Sequence, residues 1–159
     1  MIATLVATVG GVGKLRPAPG TWGSVAALPL AWLAIQGGPV LFTVLTVLLL
    51  PVGYWATRRV TRGQTDHDPS EVVIDEVLGQ WIALLPVAWG AWAAGAPVTA
   101  LWPGWIAALV LFRLFDIWKP GPVGWMDRRS DAWGVMLDDA VAGVMAAGGV
   151  LLLAGLAHL

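Results

Sequence analysis

The chain has 159 residues, 58% of them hydrophobic and only 12% charged, with no cysteine and a formal net charge of -1. A soluble domain carries about 25% charged residues, so this composition cannot cover a water-facing surface. The small net charge gives no footing for nucleic acid, and the lack of thiols excludes disulfides, thiolate metal sites and cysteine nucleophiles.

The length suits one domain covering residues 1–159, and a mean hydropathy of +0.76 points to a membrane. Met1 to Gly13 is apolar but lacks the basic start of a cleavable signal peptide. Gly10-Gly11-Val12-Gly13-Lys14 is not a P-loop, because that pattern needs Gly at position 8 and Ser or Thr after the lysine, and the chain has Thr8 and Leu15. Pro17 to Ser24 is a turn rich in Gly and Pro with the hydroxyls of Thr21 and Ser24. Such a nest at a helix start can hold a phosphate, although Gly/Pro clusters are also ordinary loop punctuation.

Crossing the hydrocarbon takes about 20 mostly apolar residues. Thr21 to Gln36 is short for this and holds Pro29, so it either spans with its flanks or lies half-buried. Gly38 to Ala56, Val77 to Gly95, Val98 to Trp118 and Ala140 to Leu156 each qualify. Turns at Gly37-Gly38-Pro39 and Gly95-Ala96-Pro97 separate them. The expected fold is all-α, a polytopic membrane bundle of about five spanning or embedded helices.

Charge follows the same alternation. Lys14 and Arg16, then Arg58, Arg59 and Arg62, then Lys119, Arg128 and Arg129 fall in every second connection, while the connections near Gly37 and Ala96 carry none. By the Lys/Arg rule the charged face is cytoplasmic, in a multi-pass protein of the inner (plasma) membrane. Trp22, Trp55, Trp81, Trp118 and Trp125 are expected at that interface, with Trp102 and Trp105 near the outer end.

Three acidic segments adjoin the spans. In Asp68 to Gln80, Pro69 suits a helix start with Ser70 or Asp68 as cap, which would put Glu71 and Asp75 on one face and Glu76 and Gln80 on another. Adjacent carboxylates at a membrane surface repel unless a cation lies among them. A hard divalent ion such as Mg²⁺ suits them, and helix capping with the macrodipole is the other account. In Phe112 to Pro120, Arg113, Asp116 and Lys119 recur every third residue and would line one stripe. Intramembrane ionisable residues are functional candidates by default, although Arg113 and Asp116 could simply neutralise one another. In Gly134 to Gly143, Asp138 and Asp139 open a span, and Gly143 with the neighbouring alanines permits close helix contact. Neither His67 nor His158 is placed for catalysis.

Three blocks carry a family resemblance: Ala18 to Ser24, Asp68 to Gly79, and Phe112 to Asp139. In that order they resemble the phosphatidylglycerophosphatase A family. One departure is Asp131-Ala132, where the family often has paired glycines. The resemblance implies a small polytopic membrane phosphatase that uses Mg²⁺ to remove the terminal phosphate of phosphatidylglycerophosphate, leaving phosphatidylglycerol. Carried over by motif position, Asp75, Glu76, Asp116, Asp138 and Asp139 would hold the metal. Arg113, Lys119 and Lys14 would face phosphate oxygens, with Gly20, Thr21 and Ser24 in the substrate nest. Asp75 or Asp138 would serve as base or nucleophile. The rival of another class is a small membrane cation channel or carrier without enzymatic activity, which would need polar groups on both faces. A CDP-alcohol phosphotransferase is a second rival, but its long aspartate-rich signature is absent.

Overall fold

The computed structural model describes residues 1–66 and 68–157. The two histidines set aside above, His67 and His158, lie outside the described residues. A short helix α1 (Ile2–Ala7) leads into a 3₁₀ turn, Val9–Lys14, which Gly10 and Gly11 bend at φ 68° and 103°. These are left-handed values that glycine adopts without a Cβ clash. Helix α2 (Pro19–Ile35) and helix α3 (Pro39–Thr61) both start with proline at the first turn, where the missing N–H costs nothing. Helix α4 (Ile74–Ala93) is followed by a 3₁₀ turn, Val98–Leu101, that runs into α5 (Trp102–Trp118). A short α6 (Pro122–Asp127) then precedes α7 (Ala132–Ala157). Pro29, Pro51 and Pro86 sit inside helices that continue through them, as neighbouring helices in membrane bundles permit.

The protein is all-α and built for a membrane. Pro39–Thr61, Val98–Trp118 and Ala132–Ala157 are long and apolar enough to cross one. Large apolar side chains such as Val47, Leu48, Leu151 and Leu152 point outward, as lipid contact requires. Helix α4 is the hub. It packs against α2, α3, α5 and α7 and buries its length through Val77, Leu78, Leu84 and Val87. The uncharged connections meet at one end, where Gln36, Gly38, Ala96 and Pro97 line a common cavity of about 350 Å³. The charged segments meet at the other.

Four local expectations are corrected. Helix α7 begins at Ala132 and not at Ala140, so Asp138 and Asp139 lie inside it, well past its first turn. Helix α4 begins at Ile74 with Val73 as its uncapped N-terminal residue, so Glu71 precedes the helix and does not share a face with Asp75. The reason is a tertiary tether: Val73 N–H donates to the Ala7 carbonyl at 2.8 Å, and Gly13 lies against the Glu71 backbone, which holds this segment off helical geometry. Lys119 terminates α5 in the left-handed region, φ 49° and ψ 52°, because the following proline disfavours right-handed helix at its predecessor. The stripe of Arg113, Asp116 and Lys119 therefore breaks at its last member. Trp81 is no interfacial anchor. It is buried against Phe42 and its indole N–H donates to the Ala27 carbonyl at 3.0 Å. Trp22, Trp55, Trp118 and Trp125 are exposed.

Candidate active site

Backbone contact between α4 and α7 builds the site. A Cβ on Gly143 would stand 2.4 Å from the Gly79 carbonyl oxygen, and one on Gly79 would stand 2.6 Å from the Asp139 carbonyl oxygen and 2.3 Å from the Phe112 ring. Only glycine allows so close an approach. Each glycine lies one turn beyond an acid, Gly79 beyond Asp75 and Glu76, Gly143 beyond Asp139. The close crossing therefore draws the three carboxylates together. Asp75, Glu76 and Asp139 offer oxygens that all lie within 4.8 Å of one another. Asp75 and Asp139 are buried.

The neighbouring charges divide into two sets. Arg113, on α5, is ion-paired with Asp116 and also reaches the hydroxyls of Ser24 and Thr21 at 3.5 Å each. Asp116 in turn faces the carboxylates of Glu76 and Asp139. Lys119 bridges two acids, donating to Asp138 at 2.9 Å and to Asp127. Burial alone would push the Lys119 ammonium down, but the hydrogen bonds it donates to Asp127 and Asp138 outweigh it and hold the group above its ordinary range. Lys119 is therefore a cation at neutral pH. Asp68, Asp127, Arg129 and Asp138 line a small polar cavity of about 50 Å³ beside it.

The first turn of α2 closes the site from the other side. A Cβ on Gly20 would stand 2.2 Å from Glu76 Oε1 and 3.4 Å from Arg113 Nη1. Gly20, Thr21, Ser24, Glu76 and Arg113 thus lie together. Ser24 is buried, its hydroxyl donating to the Gly20 carbonyl at 3.0 Å.

Of the five acids expected at a metal, three converge, and Asp116 and Asp138 flank them in ion pairs with Arg113 and Lys119. Lys14 is exposed at the end of the 3₁₀ turn and makes no ion pair among the described residues. The sequence left Asp127 without a role, although the turn Lys119-Pro120-Gly121-Pro122 returns the chain toward Lys119. It also left Asp131 without one. Asp131 caps α7 by accepting from Gly134 N–H at 3.0 Å, and the Arg129 hydrogen bond holds its carboxyl below the usual carboxylate range.

The donor set suits a hard cation. It is all oxygen; ligands around octahedral Mg²⁺ at about 2.1 Å stand about 3 to 4 Å apart, and the oxygens here lie within 4.8 Å of one another. Glu76 Oε2 is buried without a hydrogen-bond partner, which is costly unless something electropositive meets it.

A family model described as phosphatidylglycerophosphatase A matches residues 5–154. The Escherichia coli K12 protein named phosphatidylglycerophosphatase A is 34% identical over 146 residues, covering 91% of this chain and 78% of that protein. The Haemophilus influenzae Rd protein of the same name is 34% identical over 144 residues, covering 89% and 82%. A Bacteroides thetaiotaomicron protein, named provisionally as a phosphatidylinositol-3-phosphatase, is 37% identical over 150 residues, covering 90% and 87%. No solved structure matches the chain.

Proposed function

The chain belongs to the phosphatidylglycerophosphatase A family, and from that premise we propose that it hydrolyses the terminal phosphate monoester of phosphatidylglycerophosphate to give phosphatidylglycerol, with Mg²⁺ as cofactor. As a family member it is a phosphatase of phospholipid metabolism, which sets the channel and phosphotransferase readings aside. The observation that carries the finer reading is the trio of buried Asp75 and Asp139 with half-buried Glu76, beside Arg113 and the first turn of α2. An anion-neutralising wall and a cation-holding wall face one another at the charged end of a membrane bundle.

In this reading Asp75, Glu76 and Asp139 hold the ion, and Asp116 and Asp138 support it from their ion pairs. Bound there, Mg²⁺ would supply Lewis-acid polarisation of the phosphoryl group and a lowered pKa for water. The chain's own groups do the rest. Arg113 and the Gly20 N–H in the first turn of α2, where the helix dipole is positive, bind the phosphate oxygens with Thr21 and Ser24. Lys119 opposes the charge that spreads over those oxygens in a loose phosphoryl-transfer transition state. Lys14 guides the dianion to the mouth of the site. Asp75 or Asp138 takes the role of base or nucleophile. The acyl chains remain in the bilayer while the head group reaches the charged end. The arginines at the end of α3 and before α7 support a cytoplasmic charged end, by the Lys/Arg rule, in a protein of the inner membrane.

The test is phosphate release by the purified protein in detergent. Phosphatidylglycerophosphate is the substrate, phosphatidylinositol 3-phosphate runs in parallel, and each is assayed with and without Mg²⁺. Mg²⁺-dependent release preferring phosphatidylglycerophosphate is expected. Equal release in a chelator would remove the metal from the reading, and preference for the inositide would change the substrate.

A further inference from the structure

Among the described residues, every buried side-chain nitrogen or oxygen without a hydrogen-bond partner belongs to one of three side chains: Glu76 (Oε2), Gln80 (Oε1 and Nε2) and Arg113 (Nε). Gln80 is fully buried, and native interiors rarely leave both ends of an amide unpaired. Its place on α4 puts it next to the site, one turn deeper than Glu76. Glu76 lies against Gly20, and Trp81 is bonded to the Ala27 carbonyl, so α4 and α2 run side by side over this stretch. Gln80 sits one turn beyond Glu76 on the same helix face, between the α2 contacts of Glu76 and Trp81.

The unpaired set contains two acceptors, Glu76 Oε2 and Gln80 Oε1, and two donors, Gln80 Nε2 and Arg113 Nε. A cation would satisfy only the acceptors. A phosphate dianion would satisfy only the donors. Water satisfies both kinds, and a buried water makes about three hydrogen bonds to such groups. These groups lie among apolar helices, so the water that a hydrolase consumes needs a polar berth.

We propose that Gln80 is a positioning residue that orients this water together with Glu76 and Arg113, at the inner end of the active site. The inference rests on the phosphatase reading above. Glutamine has the chemistry for it, since a side-chain amide orients the attacking water in some phosphoryl-transfer enzymes. In the step it serves, the water oxygen bonds to phosphorus, the bond from phosphorus to the leaving oxygen breaks, and a proton from that water ends on the leaving oxygen.

The experiment compares wild type with Gln80→Met, which keeps the side-chain length and removes both amide ends. The readouts are thermal midpoint, KM for phosphatidylglycerophosphate, the Mg²⁺ concentration giving half-maximal rate, and kcat. The expected result is a midpoint at or above wild type, KM and Mg²⁺ requirement within about twofold, and kcat lower by about a hundredfold. Gln80→Glu retains one acceptor and is expected to turn over faster than Gln80→Met but slower than wild type, and it carries the test if the methionine variant does not insert. Unchanged kcat in these variants would make Gln80 a packing residue and overturn the proposal. So would a change confined to KM, which would assign Gln80 to the substrate, or to the Mg²⁺ requirement, which would assign it to the ion. A wild type that releases no phosphate from this lipid would overturn the substrate reading and this inference with it, and that result is read before any variant is made.

Discussion

Asp75-Glu76 on α4 and Asp138-Asp139 on α7 look alike in sequence: two adjacent acids followed by a glycine within four residues. The fold treats them differently. Both acids of the first pair enter the carboxylate trio. The second pair splits, with Asp139 joining the trio and Asp138 turning to Lys119 at 2.9 Å. Successive residues on a helix point about 100° apart, so adjacency alone does not send both side chains of a pair to one place. Glu76 reaches the trio because Gly20 leaves room for it. Asp138 has a lysine in its way. The division of labour thus comes from α2 and from the turn after α5, neither of which is adjacent in sequence to either pair.

The largest expected effects test this split directly. Asp139→Asn removes one member of the trio and should lower phosphate release about a thousandfold, as expected when several kcal/mol of transition-state charge stabilisation are lost. Asp138→Asn leaves the trio intact and leaves Asp127 to hold Lys119, so with Asp75 as base or nucleophile about tenfold is expected for a lost charged hydrogen bond; a loss as large as that of Asp139→Asn would assign that role to Asp138. Measured kcat/KM values that fall equally would erase the difference between the two acids. Gly143→Val should match Asp139→Asn in rate without touching a carboxylate, because its Cβ meets the Gly79 carbonyl at 2.4 Å and the helices must part. Chemical denaturation of that variant should also show a loss of about 1–3 kcal/mol from overpacking.

Lys119→Ala comes next. It should insert normally and lose about a hundredfold in rate, as for a removed charge clamp; near-normal turnover would mean the ammonium only ties Asp127 to Asp138. Because the folded pKa of Lys119 is raised, its contribution to stability is fully present below the unfolded value of about 10.4. It is lost only as the pH rises through the higher folded value. The difference in thermal midpoint between wild type and Lys119→Met should therefore be flat from about pH 6 to 9 as far as lysine titration is concerned.

The helices were legible in the sequence because apolar length and Gly-Pro turns are local signals. Five long helices occur where five apolar stretches were read, and the one-ended charge is present in the fold. The acids were legible as candidates for the same reason. Their sorting was not, since it depends on the Gly79–Gly143 crossing and on Lys119, nineteen residues before its partner Asp138. The start of α7 was misread because Asp138-Asp139 has the look of a helix opening, whereas Asp131 supplies the cap. The start of α4 was misread because the tether from Val73 to Ala7 is tertiary. Gln80 was visible on the face of Glu76, but nothing local reveals that its amide is buried and unpaired.

Asp131 gives the smallest and cleanest contrast with Asp139, eight residues later on the same helix. It stands where the resemblance leads one to expect a glycine, and it accepts from Gly134 N–H while pairing with the exposed Arg129. Its work is capping, so Asp131→Ala should cost about 1 kcal/mol of stability, while the exposed ion pair adds little. Asp131→Asn keeps an oxygen for the cap and should cost only a fraction of that, since Asn and Asp cap about equally well. The sign of the pH effect follows from its lowered folded pKa. The carboxylate's contribution is present above the unfolded value of about 3.9 and fades as the pH falls through the folded value, so the wild type should approach Asp131→Asn only under strongly acidic conditions. Turnover in both variants should stay within about twofold of wild type, because an exposed cap that touches no carboxylate of the trio contributes nothing that strengthens in the transition state. A rate loss at Asp131 rivalling that at Asp139 would show instead that the start of α7 moves during the reaction and that the cap times it.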